Sequence, residues 1–93
     1  MLGDLSLPPD LELVRTTPEF TAETAPGGLL DAHHLARGVW GLLRVLSGTV
    51  TFVLEASGER RRLHGGEAQV IEPEVLHHVE PDRDARFVVE FHR

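Results

Sequence analysis

Residues 49–55, Thr-Val-Thr-Phe-Val-Leu-Glu, decide the fold class. Val50, Phe52 and Leu54 fall on one side of an extended chain and Thr51 and Glu55 on the other, the period of a strand with one buried face. Residues 86–92, Arg-Phe-Val-Val-Glu-Phe-His, repeat the pattern: Phe87, Val89 and Phe91 share a face, opposed by Val88, Glu90 and His92. Between and before these two lie further short apolar runs, Val39–Leu46, Arg60–Leu63, Ala68–Ile71 and Leu76–Val79, with Leu29–His34 as the first. Gly38, Ser47-Gly48, the 56–59 and 64–67 turns, Glu72-Pro73-Glu74 and the 81–84 turn separate them. Strands at a spacing of about 8–12 residues, with no sustained helical period, predict an all-β structure. Closure into a small barrel or double sheet would remove exposed edges.

The chain has 93 residues and a net charge of −6, with 41% hydrophobic and 26% charged residues. That is one domain's worth of chain, read as 1–93, with residues 1–28 irregular and 29–93 forming the core. Pro8-Pro9, Thr16-Thr17-Pro18 and Pro26-Gly27-Gly28 punctuate the first part, where Leu11, Leu13 and Val14 suit a short edge strand. The absence of cysteine excludes disulfides, thiolate nucleophiles and cysteine-ligated metal sites. No lysine or tyrosine is present, which excludes Schiff-base and tyrosine-dependent chemistry. An acidic surface disfavours nucleic acid as a partner. With no long apolar run and no secretory pattern at the start, a cytoplasmic protein without membrane contact is expected.

Six histidines is a high count, and four form adjacent pairs, His33-His34 and His77-His78. Strand neighbours point to opposite faces, so each pair sends one imidazole inward. Neutral imidazole is the commonest metal ligand, yet two seldom hold a divalent ion without a third donor. Glu80 and Glu90 are the carboxylates on nearby strands. Glu80 lies three residues from His77, so regular alternation turns it to the opposite face unless a bulge intervenes. His64, His78 and His92 read as surface residues, and Trp40 as core or interface. The basic run Arg60-Arg61-Arg62 is expected to pair with Glu55, Glu59 and Glu67 across a hairpin, and Arg44 to sit at the rim with a buried stem.

The segment 60–81 resembles the second conserved motif of the cupins, with Gly66 and His77 at that motif's spacing. The motif's loop glycine and closing asparagine are replaced by Glu74 and Pro81. The first cupin motif is a remnant: Gly28 and Gly48 fit its glycines, while its three ligand positions fall on His34, Ala36 and Gly41. A narrower resemblance spans nearly the whole chain. Residues 15–21 (Arg-Thr-Thr-Pro-Glu-Phe-Thr), 25–30 (Ala-Pro-Gly-Gly-Leu-Leu), 38–41 (Gly-Val-Trp-Gly), 76–81 (Leu-His-His-Val-Glu-Pro) and 89–91 (Val-Glu-Phe) look like the tellurite-resistance-type small cupins, the TehB/YeaR-like domain family. Its members are small β-barrels, so the resemblance implies a double-stranded β-helix, or jelly roll. Members are sometimes fused to a methyltransferase domain, of which this sequence has no trace. General cupin spacing points to His34 and the family pattern to His33; the nearby tetrapeptide 38–41 anchors the latter.

The resemblance implies a divalent metal ion, Zn, Fe, Mn or Ni, on His33, His77 and Glu80, with Glu90 as the alternative carboxylate. It implies a stress-related binding or sensing module with room for a small-molecule ligand. The alternatives are a metal-dependent oxygenase or isomerase acting on a small organic molecule, and a metal-free cupin acting through protein contacts. Cupins commonly dimerise, so a homodimer is expected by analogy of fold.

Overall fold

The computed structural model describes all 93 residues. Eight strands build two antiparallel sheets: β1 (Leu13–Thr16), β2 (Phe20–Thr21), β3 (Trp40–Ser47), β4 (Thr49–Leu54), β5 (Arg60–His64), β6 (Ala68–Ile71), β7 (His77–Pro81) and β8 (Arg86–His92). The larger sheet runs β1-β8-β3-β6, and the smaller runs β5-β4-β7. β3 pairs with β8 along its whole length, from Trp40 opposite His92 to Ser47 opposite Arg86. β1 and β2 therefore lie end to end on the other edge of β8, the first against residues 90–92 and the second against 86–87. The structure is all-β, with its strands divided between two sheets instead of forming one closed ladder.

The predicted alternation holds the sheets together. Leu43, Val45, Ile71, Phe87 and Val89 of the larger sheet meet Val50, Phe52, Leu63 and Val79 of the smaller in one buried cluster. Gly48 carries the chain from β3 in one sheet to β4 in the other, at a φ of +69°. Glu74, standing where the cupin motif has a glycine, takes a φ of +64° and so occupies the left-handed backbone region that glycine favours.

The expected strand Leu29–His34 is not formed. Leu29 and Asp31 N–H groups donate to the Pro26 and Gly27 carbonyls, giving a single helical turn, α1 (Gly27–Leu30). Only His33 makes strand-like pairing there, exchanging backbone hydrogen bonds of 2.9 and 2.8 Å with His77. Apolar residues alone do not make a strand without an edge to join; here the Pro-Gly-Gly lead-in turns the backbone first. The first 28 residues are more ordered than expected. They supply β1 and β2, and Leu2 is buried, with the Gln69 side-chain amide donating to its carbonyl at 2.9 Å.

The arginine run also differs from expectation. Arg60 pairs with Glu80 and Arg62 with Asp82, across β4 and not across the β4–β5 hairpin; only Arg61 reaches an expected partner, Glu67 at 3.8 Å. Thr51 and Val53, the residues between, are short, so the long side chains of β5 and β7 meet above them.

Candidate functional site: an imidazole pair over an apolar chamber

β7 alternates in register, so His77 and Val79 go inward while His78 and Glu80 go outward. His77 is fully buried; its ring packs 5.2 Å from the Phe52 centroid and 4.1 Å from the His33 centroid, at 62° to the latter. His33 is half-buried and His34 exposed. Each ring is oriented the same way. His33 Nδ1 lies 3.0 Å from the Asp31 carbonyl and His77 Nδ1 2.9 Å from the Val75 carbonyl, two residues back in both cases. A carbonyl only accepts, so Nδ1 is the donor in each ring, and the neutral form keeps its lone pair on Nε2.

The pair borders a chamber of about 110 Å³, which Leu43, Phe87, Val89 and Phe91 of the large sheet and Leu29 of α1 also line. Apart from the two imidazoles, its lining is hydrophobic. An outer hollow of about 340 Å³ shares Leu29, His33 and Phe91 with it and adds Arg15, Thr17, Phe20, Pro26 and Gly28. Those three shared residues form the sill between chamber and hollow.

Burial pushes the His77 imidazole down from its ordinary 6.5 to about 4; the Val75 carbonyl opposes this, and His33 and His78 add to it. His77 is neutral at pH 7 in the folded chain. The unfolded chain takes up this proton near 6.5 and the folded chain only near 4. Its stabilising contribution is therefore present above about pH 6.5 and is lost as pH falls towards 4. The loss is about 2–3 kcal/mol, allowing for screening. Urea unfolding at pH 7.5 and 4.5 should show it in the native chain and not in His77→Gln. An equal acid loss in both proteins would remove His77 from the account.

Neither carboxylate joins the histidines. Glu80 is on the outer face of the small sheet, bonded to His78 Nε2 at 2.7 Å and to Arg60. His78 also donates from Nδ1 to Glu55. The hydrogen bonds to Glu80 and Glu55 hold His78 above the usual imidazole range, and His78 with Arg60 holds Glu80 below the usual carboxylate range. Glu90 is on the outer face of the large sheet, accepting from Arg44 Nε at 2.6 Å and His92 Nε2 at 3.0 Å. Burial alone would raise Glu90, but its hydrogen bonds and charge interactions with Arg44 and His92 more than offset it. His78 and His92, expected at the surface, are thus bonded side chains only 18% and 14% exposed. Arg44 is a sheet-face partner of Glu90 and not a rim residue.

The strand period explains the separation: no bulge interrupts β7, so Glu80 opposes His77. No group of three or more histidine and carboxylate side chains converges as a metal site. Two imidazoles sharing a Zn²⁺ at 2.0–2.1 Å would hold their centroids about 4.5–5.2 Å apart. At 4.1 Å, edge to face, these rings pack on each other, and as placed they do not fit a resident divalent ion. Sequence reasoning missed Arg15 and the sill. Phe87 and Phe91 were legible as one strand face, but nothing in residues 13–16 signals that Arg15 borders the outer hollow.

A protein-family model described as the TehB-like domain matches residues 15–89. The chain belongs to the TehB-like domain family. Among solved structures it is similar to a protein of E. coli strain K12, at 25% identity and a TM-score of 0.88 over 96% of each chain. It is also similar to TehB from Haemophilus influenzae, at 24% identity and a TM-score of 0.81, over 90% of this chain but 32% of that one. KdgF from Halomonas sp. shares the fold more distantly, at 22% identity and a TM-score of 0.60, over 95% of this chain and 84% of that. No curated protein matches the sequence. No helix of this TehB-like domain is long and apolar enough to cross a membrane.

Proposed function

We propose that this TehB-like domain is a small cupin of the jelly-roll kind that works as a binding module, taking a small, largely apolar molecule in the chamber beneath His33 and His77. The family's association with tellurite resistance makes a stress-related role the natural setting. One observation carries the reading: an apolar chamber bordered by two oriented imidazoles. At about 110 Å³ it is well below the roughly 300–1,000 Å³ of pockets for drug-sized ligands. It suits a branched alkyl group or a single small ring. The imidazole Nε2 atoms, which make no hydrogen bond within the protein, would accept from a donor on the ligand.

Turnover is not favoured over binding, because the site brings together no acid, nucleophile or three-donor metal set beside the imidazoles. Titration of the protein with neutral primary amides, from propionamide to hexanamide, followed by amide nitrogen–proton NMR, tests this directly. Saturable shifts at Leu43, Val89 and Phe91 are expected, with an optimum at one chain length and a loss in His77→Phe. Shifts scattered over the surface, or none, would refute the chamber as a binding site. Metal analysis of untagged protein provides the opposing result. Near-stoichiometric Zn, Fe, Mn or Ni, lost in His33→Ala and His77→Ala, would replace this reading with a metal centre.

A further inference from the structure

Arg15 stands out among the nine basic residues, all of them arginine. Arg44, Arg60, Arg61, Arg62 and Arg86 each pair with a carboxylate. Arg15, like Arg37, Arg83 and Arg93, pairs with none, although the chain carries fifteen acidic residues; what sets it apart is the aromatic ring beside it. Its guanidinium instead lies 5.9 Å from the centroid of the Phe91 ring, in cation–π range. Phe91 belongs to the sill, and Arg15 itself lines the outer hollow beside His33. Arg93 borders a second hollow together with Arg15 and Phe91.

The placement has a local cause. β1 is paired with β8 through an irregularity between Leu13 and Arg15, so that Leu13 opposes His92 while Arg15 opposes Phe91. Without that shift Arg15 would share Leu13's face. With it, the residue takes the face of Phe91, the one towards the chamber side of the sheet. An unpaired guanidinium, oriented on an aromatic ring at the entrance to an apolar chamber, is a counter-ion site for an amphiphilic anion.

We propose that the ligand is a small monocarboxylate, its alkyl or ring portion in the chamber and its carboxylate carried over the Leu29–His33–Phe91 sill to Arg15. This deepens the reading of the chamber as a binding site and rests on it. A guanidinium takes a carboxylate through two parallel hydrogen bonds, which adds direction to the attraction. Arg15 is exposed and lies outside the buried cluster, so its replacement leaves the core residues in place.

The test compares each straight-chain carboxylate from propionate to hexanoate, and isovalerate, with its own primary amide. The native protein, Arg15→Gln and Arg37→Gln are titrated by NMR at low and moderate salt. The third protein controls for the change of net charge, since Arg37 is exposed and also without a carboxylate partner. The expected result is a carboxylate preference of about fivefold over the matched amide, reduced by salt, abolished in Arg15→Gln and kept in Arg37→Gln. If amide and carboxylate bind alike, or if the preference survives Arg15→Gln, Arg15 is not the counter-ion site although the chamber remains one. If neither series shifts the chamber residues, the binding reading falls and this one with it.

Discussion

Phe87→Ala should cost about 3–5 kcal/mol of stability, the usual range for truncating a buried aromatic ring. Phe87 has no exposed surface, sits in the main cluster, and meets Phe20 edge-on at a centroid distance of 5.8 Å. The loss has two parts. Removing the ring forfeits its transfer energy and its contacts with both sheets. It also opens new space next to a chamber already about 110 Å³ in size, and enlarging a void costs about 24 cal/mol per Å³. Against a typical domain stability of about 5–15 kcal/mol, this consumes a large share. Urea unfolding at pH 7.5 measures it. A loss under about 1 kcal/mol would mean that the sheets close over the gap and that the chamber is not a rigid feature of the core.

The second large effect is at the crossing between sheets. A Cβ on Gly48 would meet the Asp84 carbonyl oxygen at 2.7 Å and the Ala85 Cα at 2.8 Å. Both are backbone atoms, so no side chain can swing aside. The residue's φ of +69° adds a left-handed conformation that costs an L-residue about 1–2 kcal/mol. Gly48→Ala is therefore expected to lose about 3 kcal/mol or more. Gly58 supplies the control: its φ is +73°, but nothing lies within 4 Å of its Cβ position. Gly58→Ala should show the conformational cost alone, about 1–2 kcal/mol. Equal losses at the two positions would show that the β3–β4 crossing relaxes freely and that the close approach to Asp84 and Ala85 is not a constraint.

The strands were legible wherever the period of two was strong. Arg86–His92 has the bounds its alternation predicts, and Ala68–Ile71 those predicted by a short apolar run between two turns. Leu29–His34 reads as a strand and is not one, because an apolar run says nothing about whether a sheet edge is free to accept it. β2 was illegible: two residues, Phe20 and Thr21, carry no period, and only β8 makes them a strand. At the site, strand alternation predicted one inward histidine per pair, and the family resemblance pointed to His33 and His77. The structure does bring those two rings together. Alternation equally predicted that Glu80 would oppose His77, and the unbroken register of β7 makes it so. The placement of Arg15 is out of reach, since it depends on a shift in the pairing of β1 that no residue type announces.

The pairing of the first strand with the last has a consequence in time. Leu13 is opposite His92, and Glu12 and Arg93 exchange backbone hydrogen bonds of 3.1 and 3.0 Å, so this ladder joins residues at opposite ends of the chain. The small sheet, by contrast, is drawn wholly from residues 49–81. Closing a long loop costs entropy before any contact repays it, and distant pairings form late for that reason. The β5-β4-β7 sheet should gain protection first in pulse-labelled hydrogen exchange, with β1 acquiring it last. On a ribosome, β1 would wait until β8 had cleared the exit tunnel. The large-sheet wall of the chamber and its sill would then be completed only in the final step, when Arg15 and Phe91 arrive from the two ends of the same polypeptide.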